Sequence, residues 1–465
     1  MYTQDTICAV ATAQGGAIGI IRVSGPEAIT VADRIFSPAS QDGLPLSGRK
    51  PYTLTFGTIR GEGGEIVDEV LVSLFRAPHS YTGEDSVEIS CHGSSYILQQ
   101  VMQLLIRNGC RAAGPGEFTQ RAFLNGKMDL SQAEAVADLI ASSSAATHRL
   151  AMNQMKGGFS KELAALREKL LHLTSLMELE LDFSDHEELE FADRSELKAI
   201  AAQIEQVIGG LVRSFSTGNA IKNGIPVAII GETNAGKSTL LNALLNEERA
   251  IVSDIHGTTR DVIEDTMNIG GVTFRFIDTA GIRETSDTIE SLGIERSFRK
   301  LEQADIVLWV IDRSAPHPDF SRLAGQILPR CAGKHLIVVW NKADLSGTDA
   351  AASLKEMFPQ AETISISAKA KTGIRELQDM LLRAADIPEI TQSNVIVTNV
   401  RHYEALSKAL EAIHRVQEGM DMGLSGDLVS QDLRECLFHL AEIVGGEITT
   451  DEVLGNIFKH FCIGK

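Results

Sequence analysis

The chain lacks the features that mark secreted, zinc-binding and membrane-spanning proteins. Its six cysteines are scattered over 465 residues without a Cys-x-x-Cys spacing, which favours reduced thiols over disulfides or a zinc site. The N-terminus has no basic segment followed by an apolar one, and no apolar run approaches the roughly 20 residues that cross a bilayer. We therefore expect a cytoplasmic protein with no membrane association.

Positive charge is also scarce. The 43 lysines and arginines are outnumbered by 62 aspartates and glutamates, which gives a net charge of −19. Proteins that bind nucleic acid by themselves neutralise phosphates with clustered Lys and Arg, so the composition argues against a broad RNA- or DNA-binding face. If RNA is a substrate, we expect a basic partner to help hold it. The length indicates about three domains.

A phosphate-binding loop is the strongest local signal. The apolar run 227–230 predicts a buried strand, residues 231–238 read Gly-x-x-x-x-Gly-Lys-Ser, and the apolar stretch 240–245 predicts a helix. The glycines allow backbone N–H groups to surround polyphosphate oxygens at a positive helix N-terminus. Lys237 can reach the terminal phosphates, and the Ser238 hydroxyl can bind Mg²⁺.

A second motif, 278–281 (Asp-Thr-Ala-Gly), follows the apolar-rich segment 272–277. An aspartate at the carboxyl end of a strand can hold Mg²⁺ through water, and the Gly281 N–H can contact a γ-phosphate. Between this motif and the loop lies 257–261 (Gly-Thr-Thr-Arg-Asp), where a threonine can bind Mg²⁺ only while the γ-phosphate is present. Together these segments predict a nucleoside triphosphate as substrate.

Two further motifs indicate guanine. Residues 341–344 (Asn-Lys-Ala-Asp) follow the apolar run 336–340, and Asp344 can accept hydrogen bonds from N1–H and the amino group of guanine, a pair that adenine does not offer. Residues 367–369 (Ser-Ala-Lys) follow the apolar run 364–366 and would support the base with a main-chain N–H. The ordered set predicts GTP and resembles the translation-factor-like class of small GTPases, with a Ras-like P-loop domain.

Strand and helix patterns divide the chain into four segments and predict a multidomain α+β and α/β fold. Residues 1–120 predict an α+β domain, and 217–386 a mainly parallel, doubly wound GTPase domain. Residues 121–216 and 387–465 are helical. Neither helical segment has an obvious core of its own, so we expect one discontinuous helical bundle into which the GTPase domain is inserted, with its two ends close together.

Local patterns predict several details. Short strands are expected at 18–23, 54–59, 69–75 and 86–90, and an amphipathic helix at 96–108. Ser131 and Glu134 have the spacing of a capping box, and 216–224 reads as a polar, glycine-bearing junction. Cys91-His92 has no second ligand pair, so strand-end packing is favoured over a metal site.

Over essentially its whole length, the chain is similar to the bacterial MnmE (TrmE) family of tRNA-modification GTPases. Outside the GTPase motifs, the matching residues are Arg22 in Gly-Ile-Ile-Arg-Val-Ser-Gly, Glu88 at the end of 82–88, the run 116–135 around Lys127, and the terminal Phe-Cys-Ile-Gly-Lys of 461–465. One departure is Thr233, where the family loop often has proline; this should not affect phosphate contacts.

The resemblance implies a specific reaction. Members work with an FAD-containing partner, MnmG (GidA), in a heterotetramer or larger complex. They install an aminomethyl or carboxymethylaminomethyl group at carbon 5 of the tRNA wobble uridine. A tetrahydrofolate derivative, in the 5,10-methylene or 5-formyl form, supplies the one-carbon unit. The N-terminal domain would form a homodimer with the folate at the shared surface.

The resemblance also implies folate-site residues. Arg22, Glu88, Lys127 and Lys465 would contact the folate, because a pterin and a glutamate tail require a carboxylate and cations. Cys462 is a catalytic candidate in the family. The alternative is a buried thiol near the folate, since a reactive thiol requires a depressed pKa.

Hydrolysis needs a special explanation. Many GTPases place a water-orienting glutamine after the glycine of Asp-Thr-Ala-Gly, but here that residue is Ile282, which cannot orient water. The resemblance implies that Asn234, with oxygens around Ser253, Ile255 and Thr258, holds a K⁺ ion. This cation would act as an arginine finger when two GTPase domains meet.

Glu290 matches the family's general-base or water-bridging glutamate; without the resemblance it would be interpreted as a solvated charge. Mg²⁺ would be held by Ser238 and Thr259. The residues expected to contact GTP are Asn234, Ala235, Gly236, Lys237, Ser238, Thr239, Ser253, Asp254, Ile255, Gly257, Thr258, Thr259, Asp278, Thr279, Ala280, Gly281, Asn341, Lys342, Asp344, Ser367, Ala368 and Lys369.

Two other functions are compatible with parts of the sequence. One is a ribosome-assembly or RNA-chaperone GTPase in which hydrolysis only times release. The other is a folate-dependent transferase that acts alone. Folate binding would separate the first of these from the tRNA-modification hypothesis.

Overall fold

The computed structural model describes residues 5–13, 15–40, 43–183, 194–232, 234–246, 265–277, 301–314, 320–345, 361–387, 395–446, 451–459 and 461–464. The chain forms two compact units. Unit 1 contains Met1–Ile140, Gln154–Ile208 and Glu404–Lys465, and unit 2 contains Ala141–Asn153 and Gly209–Tyr403.

Unit 1 begins with a seven-stranded sheet in the order β3-β4-β5-β6-β2-β1-β7. Its strands are β1 (Ile7–Val10), β2 (Ile18–Ser24), β3 (Phe36–Pro38), β4 (Leu54–Arg60), β5 (Ile66–Phe75), β6 (Ser86–His92) and β7 (Arg111–Ala112). Alternate residues such as Val70 and Val72 pack into one core with α1 (Ala28–Ile35) and α2 (Ser95–Arg107). The intervening residues face the other side of the sheet.

The sheet is followed by helices α3 (Glu117–Leu124), α4 (Leu130–Ala141), α5 (Ala145–Met155), α6 (Gly158–Phe183) and α7 (Arg194–Asn223). Buried Leu163, Leu166, Leu170 and Leu173 lie at helical spacing along α6, which is the periodicity of an amphipathic helix with one buried stripe.

Unit 2 contains a six-stranded sheet in the order β13-β12-β11-β8-β10-β9. Its elements are β8 (Ile225–Gly231), α8 (Lys237–Asn246), β9 (Asp265–Ile269), β10 (Val272–Phe276), β11 (Ile306–Asp312), α9 (Phe320–Ile327), β12 (His335–Asn341), β13 (Glu362–Ser365) and α10 (Ile374–Ala384). All neighbouring pairs are parallel except β9 with β10. Separate cores cover the two faces, one with α8 and α10 and the other with α9. The predicted doubly wound sheet is confirmed.

The last helices are α11 (Val400–Asp421), α12 (Gly426–Val444) and α13 (Asp451–Phe458). Within unit 1, α12 packs along α6, and Arg434 pairs with Glu178 at 2.7 Å. An ion pair of 2.6 Å between Lys198 and Asp421 joins α7 to α11. Helices from both halves of the sequence therefore form one bundle, as predicted.

The predicted junction at 216–224 is wrong, because α7 continues as a helix to Asn223. Gly218 is present for close packing rather than for a turn: a Cβ there would collide with the Val397 carbonyl oxygen. The Ser214 hydroxyl also accepts a 3.1 Å hydrogen bond from Val397 N–H. The segments that enter and leave the GTPase sheet therefore lie side by side, which confirms that its ends are close together.

The predicted capping box at Ser131 and Glu134 is also wrong. Asp129 Oδ1 accepts from Gln132 N–H at 2.9 Å, and Gln132 Oε1 accepts from Asp129 N–H at 3.0 Å. The same reciprocal motif thus occurs two residues earlier, before α4. Within the part of the chain that the structure describes, no helix combines the length and apolar character needed to cross a bilayer.

Candidate functional site

The phosphate-binding loop leaves β8 at Gly231 and enters α8 at Lys237. Asn234 has a φ of +64° and Gly236 a φ of +94°, a region open to glycine and tolerated by asparagine. A Cβ on Gly236 would collide with the side-chain amide of Asn341. The Gly236 carbonyl accepts the first helical bond of α8, from Leu240 N–H at 2.8 Å. The loop therefore presents a helix N-terminus that suits an anion.

Lys237 places a positive charge at the loop. Its Nζ donates to the carbonyl oxygens of Gly231 at 2.8 Å and Glu232 at 2.7 Å. Ser238, the next residue, is half-buried at the start of α8. An ammonium group, the N–H groups of a helix N-terminus and a hydroxyl are the donor set for a polyphosphate with Mg²⁺, so the residues present fit both groups.

Asn341, expected from sequence to contact GTP, connects two loops of the site. Its Nδ2 donates to the Ala235 carbonyl at 2.9 Å, and its Oδ1 accepts from Ala368 N–H at 3.0 Å. The residue is only 2% exposed. Both ends of the amide are therefore used within the protein, and Asn341 holds the phosphate loop against the segment that begins at Ser367.

The residues predicted to recognise guanine lie at the ends of β12 and β13. Asp344 Oδ1 accepts from the Ser367 hydroxyl at 2.6 Å. That hydrogen bond, with smaller contributions from Lys369 and Lys342, lowers the pKa of Asp344. The carboxylate is therefore ionised at neutral pH and can accept from a base that offers two donors.

Lys342 has a φ of +63°, and its Nζ lies 2.6 Å from Asp312 Oδ2. Burial opposes ionisation of Asp312, but hydrogen bonds from Lys342 and Ser314 outweigh it and lower the pKa of the carboxyl. The pair ties the end of β12 to the end of β11. The structure thus brings 234–239, 341–344 and 367–369 to one edge of the sheet.

Several predicted site residues lie outside the described residues. They are Ser253, Asp254, Ile255, Gly257, Thr258, Thr259, Asp278, Thr279, Ala280, Gly281, Ile282, Glu290 and Lys465. Their roles remain predictions.

A second constellation lies on the open face of the unit 1 sheet. Arg22 on β2 is directly opposite Glu88 on β6. Arg22 Nε and Nη2 both contact Glu88 Oε1, at 2.9 and 2.8 Å. The guanidinium carbon lies 5.3 Å from the centre of the Tyr81 ring and 5.6 Å from that of Phe118. Two aromatic rings therefore help to fix the cation.

The C-terminal segment reaches the same place. Arg22 Nη1 donates to the Gly464 carbonyl at 3.4 Å, Ile463 bridges to Pro115, and Gly116 N–H donates to the Cys462 carbonyl at 3.3 Å. Cys462 is exposed, so the alternative of a buried thiol is wrong. The structure therefore assembles Arg22, Glu88 and the terminal segment.

Lys127 is placed at the border of this region. Its Nζ donates to the Pro78 carbonyl at 2.9 Å, and its side chain packs beside Gly83. The loop 78–83 that Lys127 contacts also carries Tyr81, whose ring lies beside the Arg22 guanidinium. Lys127 and Arg22 therefore contact the same loop.

An ion network that the sequence did not predict supports this loop. The Arg121 side chain, 4% exposed, contacts Asp5 at 2.6 Å, Glu117 at 3.0 Å and Glu84 at 3.2 Å. Burial raises the pKa of Asp5, but hydrogen bonds from Arg111 and Arg121 outweigh this and lower it to about 2. Asp5 and Glu84 lie far from Arg121 in sequence, so no local pattern predicts these two contacts.

Comparisons with known proteins agree over the whole chain. Residues 6–127 match the family model described as GTP-binding protein TrmE N-terminus, and residues 130–462 match the MnmE helical domain. A protein of Bacteroides thetaiotaomicron named tRNA modification GTPase MnmE is 70% identical over 467 residues, covering 99% of this chain and 100% of that protein. The chain belongs to the MnmE family.

A second MnmE, from Christiangramia forsetii, is 52% identical over 479 residues, covering 100% of both chains. Among solved structures, Aquifex aeolicus Era bound to GDP and AlF4⁻ is 29% identical, covers 40% of this chain and 66% of that chain, and has a TM-score of 0.28. Membership in the MnmE family confirms the predicted fold class and the prediction of a GTP hydrolase.

Proposed function

We propose that this MnmE-family GTPase drives modification of the wobble uridine of tRNA. The observation that carries the proposal is that one chain holds both a phosphate loop with guanine-recognition residues and the Arg22–Glu88 site completed by Gly464. The relatives are named for tRNA modification. A timing GTPase would not require the second site.

The proposal assigns the hydrolysis chemistry as follows. Lys237 and the α8 N-terminus bind the phosphates, and Asp344 selects guanine. Ser238 and Thr259 would hold Mg²⁺, which neutralises phosphate charge. Asn234, with Ser253, Ile255 and Thr258, would hold K⁺, which supplies the positive charge of an arginine finger. Asn234 supports this role because it is exposed at the loop in a left-handed conformation. Glu290 would position water.

GTP turnover is expected to rise by more than about tenfold when K⁺ replaces Na⁺ at equal ionic strength, because arginine fingers contribute about 10³–10⁵-fold. Phosphate release measured in each salt tests this, with choline chloride as the control for ionic strength. Equal rates in the two salts would contradict the K⁺ assignment while leaving GTP binding intact.

The Arg22 site fits a reduced folate. Arg22 Nε and Nη2 both contact Oε1 of Glu88, and among the described residues no hydrogen bond to Oε2 is formed. A half-buried carboxylate oxygen of this kind can accept hydrogen bonds from pterin N–H groups. A folate there would supply the one-carbon unit. Arg22, Glu88, Lys127 and Lys465 would bind it, and the exposed Cys462 would lie near it.

The open face of the unit 1 sheet supports the proposed homodimer. Ile18, Leu54, Phe56 and Leu71 are 65, 68, 51 and 44% exposed. Phe56 lies directly opposite Leu71, so at least part of this apolar surface is continuous, as in protein–protein interfaces. A second copy of the chain would cover it, with folate at the shared surface.

A flavoprotein partner completes the proposal. The net charge of −19 does not suit tRNA binding by this chain alone, so a basic, FAD-containing MnmG-like protein would carry the tRNA in a heterotetramer or larger complex. The modification would take place in the cytoplasm.

Loss of the protein is expected to remove the 5-aminomethyl-type wobble uridines from bulk tRNA. Nucleoside analysis by mass spectrometry of tRNA from cells with and without the gene tests this. Restoration by the wild-type gene, but not by a Lys237→Ala form, would tie the modification to GTP. An unchanged nucleoside profile would instead favour a timing GTPase.

A further inference from the structure

The open face of the unit 1 sheet is arranged in rows. The register places Glu88 beside Arg22, then Ser90 beside Ile20, then His92 beside Ile18. The middle row continues through Leu71 and Phe56 and is mainly apolar. Glu88 and His92 are four positions apart along β6, which is about 13 Å. Arg22 and Glu88 therefore lie on one side of the apolar row, and His92, beside Ile18, lies on the other.

His92 is held by a buried carboxylate. Its Nδ1 lies 2.7 Å from Asp68 Oδ1, and its backbone N–H donates to Asp68 Oδ2 at 2.8 Å. The Asp68 side chain is 7% exposed, whereas that of His92 is 70% exposed. Because Nδ1–H is donated to Asp68, the ring nitrogen that remains for another molecule is Nε2.

Simple strand-end packing does not account for the imidazole. The backbone N–H of His92 already bonds Asp68, and the ring gains little burial. In its charged form, imidazole donates from both nitrogens, so Nε2–H can donate to a carboxylate while Nδ1–H is held by Asp68.

We propose that His92, fixed by Asp68, binds the glutamate end of a reduced folate whose pteridine end lies at Arg22 and Glu88. The aryl ring of the ligand then crosses the apolar row of Ile20 and Leu71. This inference rests on the folate site proposed above and adds a recognition residue at its far end.

The test compares two ligands and two variants by isothermal titration of the full chain. The ligands are 5-formyltetrahydrofolate and 5-formyltetrahydropteroate, which lacks glutamate. The wild type is expected to bind the first about tenfold more tightly, the effect of about 1.4 kcal/mol. His92→Asn keeps a donor for Asp68 but lacks Nε2, so it should bind both ligands with the weaker affinity. His172→Asn, at an exposed histidine on α6, should behave as wild type.

The outcomes separate the two proposals. If the wild type binds neither ligand, the folate site itself fails, and this inference fails with it. If the wild type binds both equally, or if His92→Asn retains the tenfold preference, the role of His92 is overturned while the folate site stands.

A second experiment uses the wild-type protein, so its result does not depend on whether a variant folds. Diethyl pyrocarbonate modifies exposed imidazoles, and peptide mass spectrometry locates the product. The glutamylated ligand should protect His92 several-fold, and the tail-less ligand should not. Equal modification with both ligands would overturn the role of His92.

Discussion

Replacing Lys237 with alanine is expected to lower GTP turnover by about 10²–10³-fold, the loss seen when one preorganised charge-stabilising donor is removed. The ammonium group is held at the phosphate loop by the carbonyls of Gly231 and Glu232, where the terminal phosphates would lie. Steady-state phosphate release and fluorescent-nucleotide binding measure the loss.

Lys334 offers a matched control for this substitution. It also donates to two carbonyl oxygens, those of Glu302 at 3.0 Å and Ala304 at 2.6 Å, but it precedes β12, at the opposite end of the strand from Asn341. Lys334→Ala should leave turnover within about twofold of wild type. Similar losses in both variants would mean that Lys237 acts through stability rather than through phosphate charge.

Replacing Arg121 with methionine is expected to destabilise unit 1 by about 3–5 kcal/mol, the cost of removing one partner from a buried ion pair. Asp5, Glu84 and Glu117 all contact this guanidinium, and would be left close together without it. Because the chain has two compact units, the quantity to measure is the denaturation midpoint of the transition that reports on unit 1.

Arg107 provides the comparison. Its pair with Glu62 is 3.1 Å long, but the side chains are 59 and 66% exposed, and exposed pairs contribute about 0–1 kcal/mol. Arg107→Met should therefore shift the midpoint little. Equal shifts in the two variants would show that the buried network is no more stabilising than a surface pair.

Sequence reasoning succeeded where the signal was local. The run 227–230 and the glycines at 231 and 236 fixed the strand, loop and helix of the phosphate site, because backbone geometry there depends on adjacent residues. Sequence reasoning failed where the role of a residue depends on contact with a segment that is distant in sequence. Gly218 reads as a break, yet it lies within α7 because a neighbouring backbone approaches it.

In the candidate sites, too, local features were predicted from the sequence and long-range contacts were not. The position of the motif indicated that Asn341 belongs to the nucleotide site. It did not indicate that the side-chain amide forms hydrogen bonds with the backbone of Ala235 and Ala368. The resemblance predicted Arg22 and Glu88 together, and their pairing follows from the register of β2 and β6. The contact of Arg121 with Asp5 spans 116 residues, and no local pattern reports such a distance.

The bond from Arg22 to the Gly464 carbonyl joins residues 442 positions apart. Translation produces Arg22 442 residues before Gly464. The surface beside Arg22 therefore cannot be completed until synthesis has reached Gly464, and chains truncated before that residue should leave it incomplete.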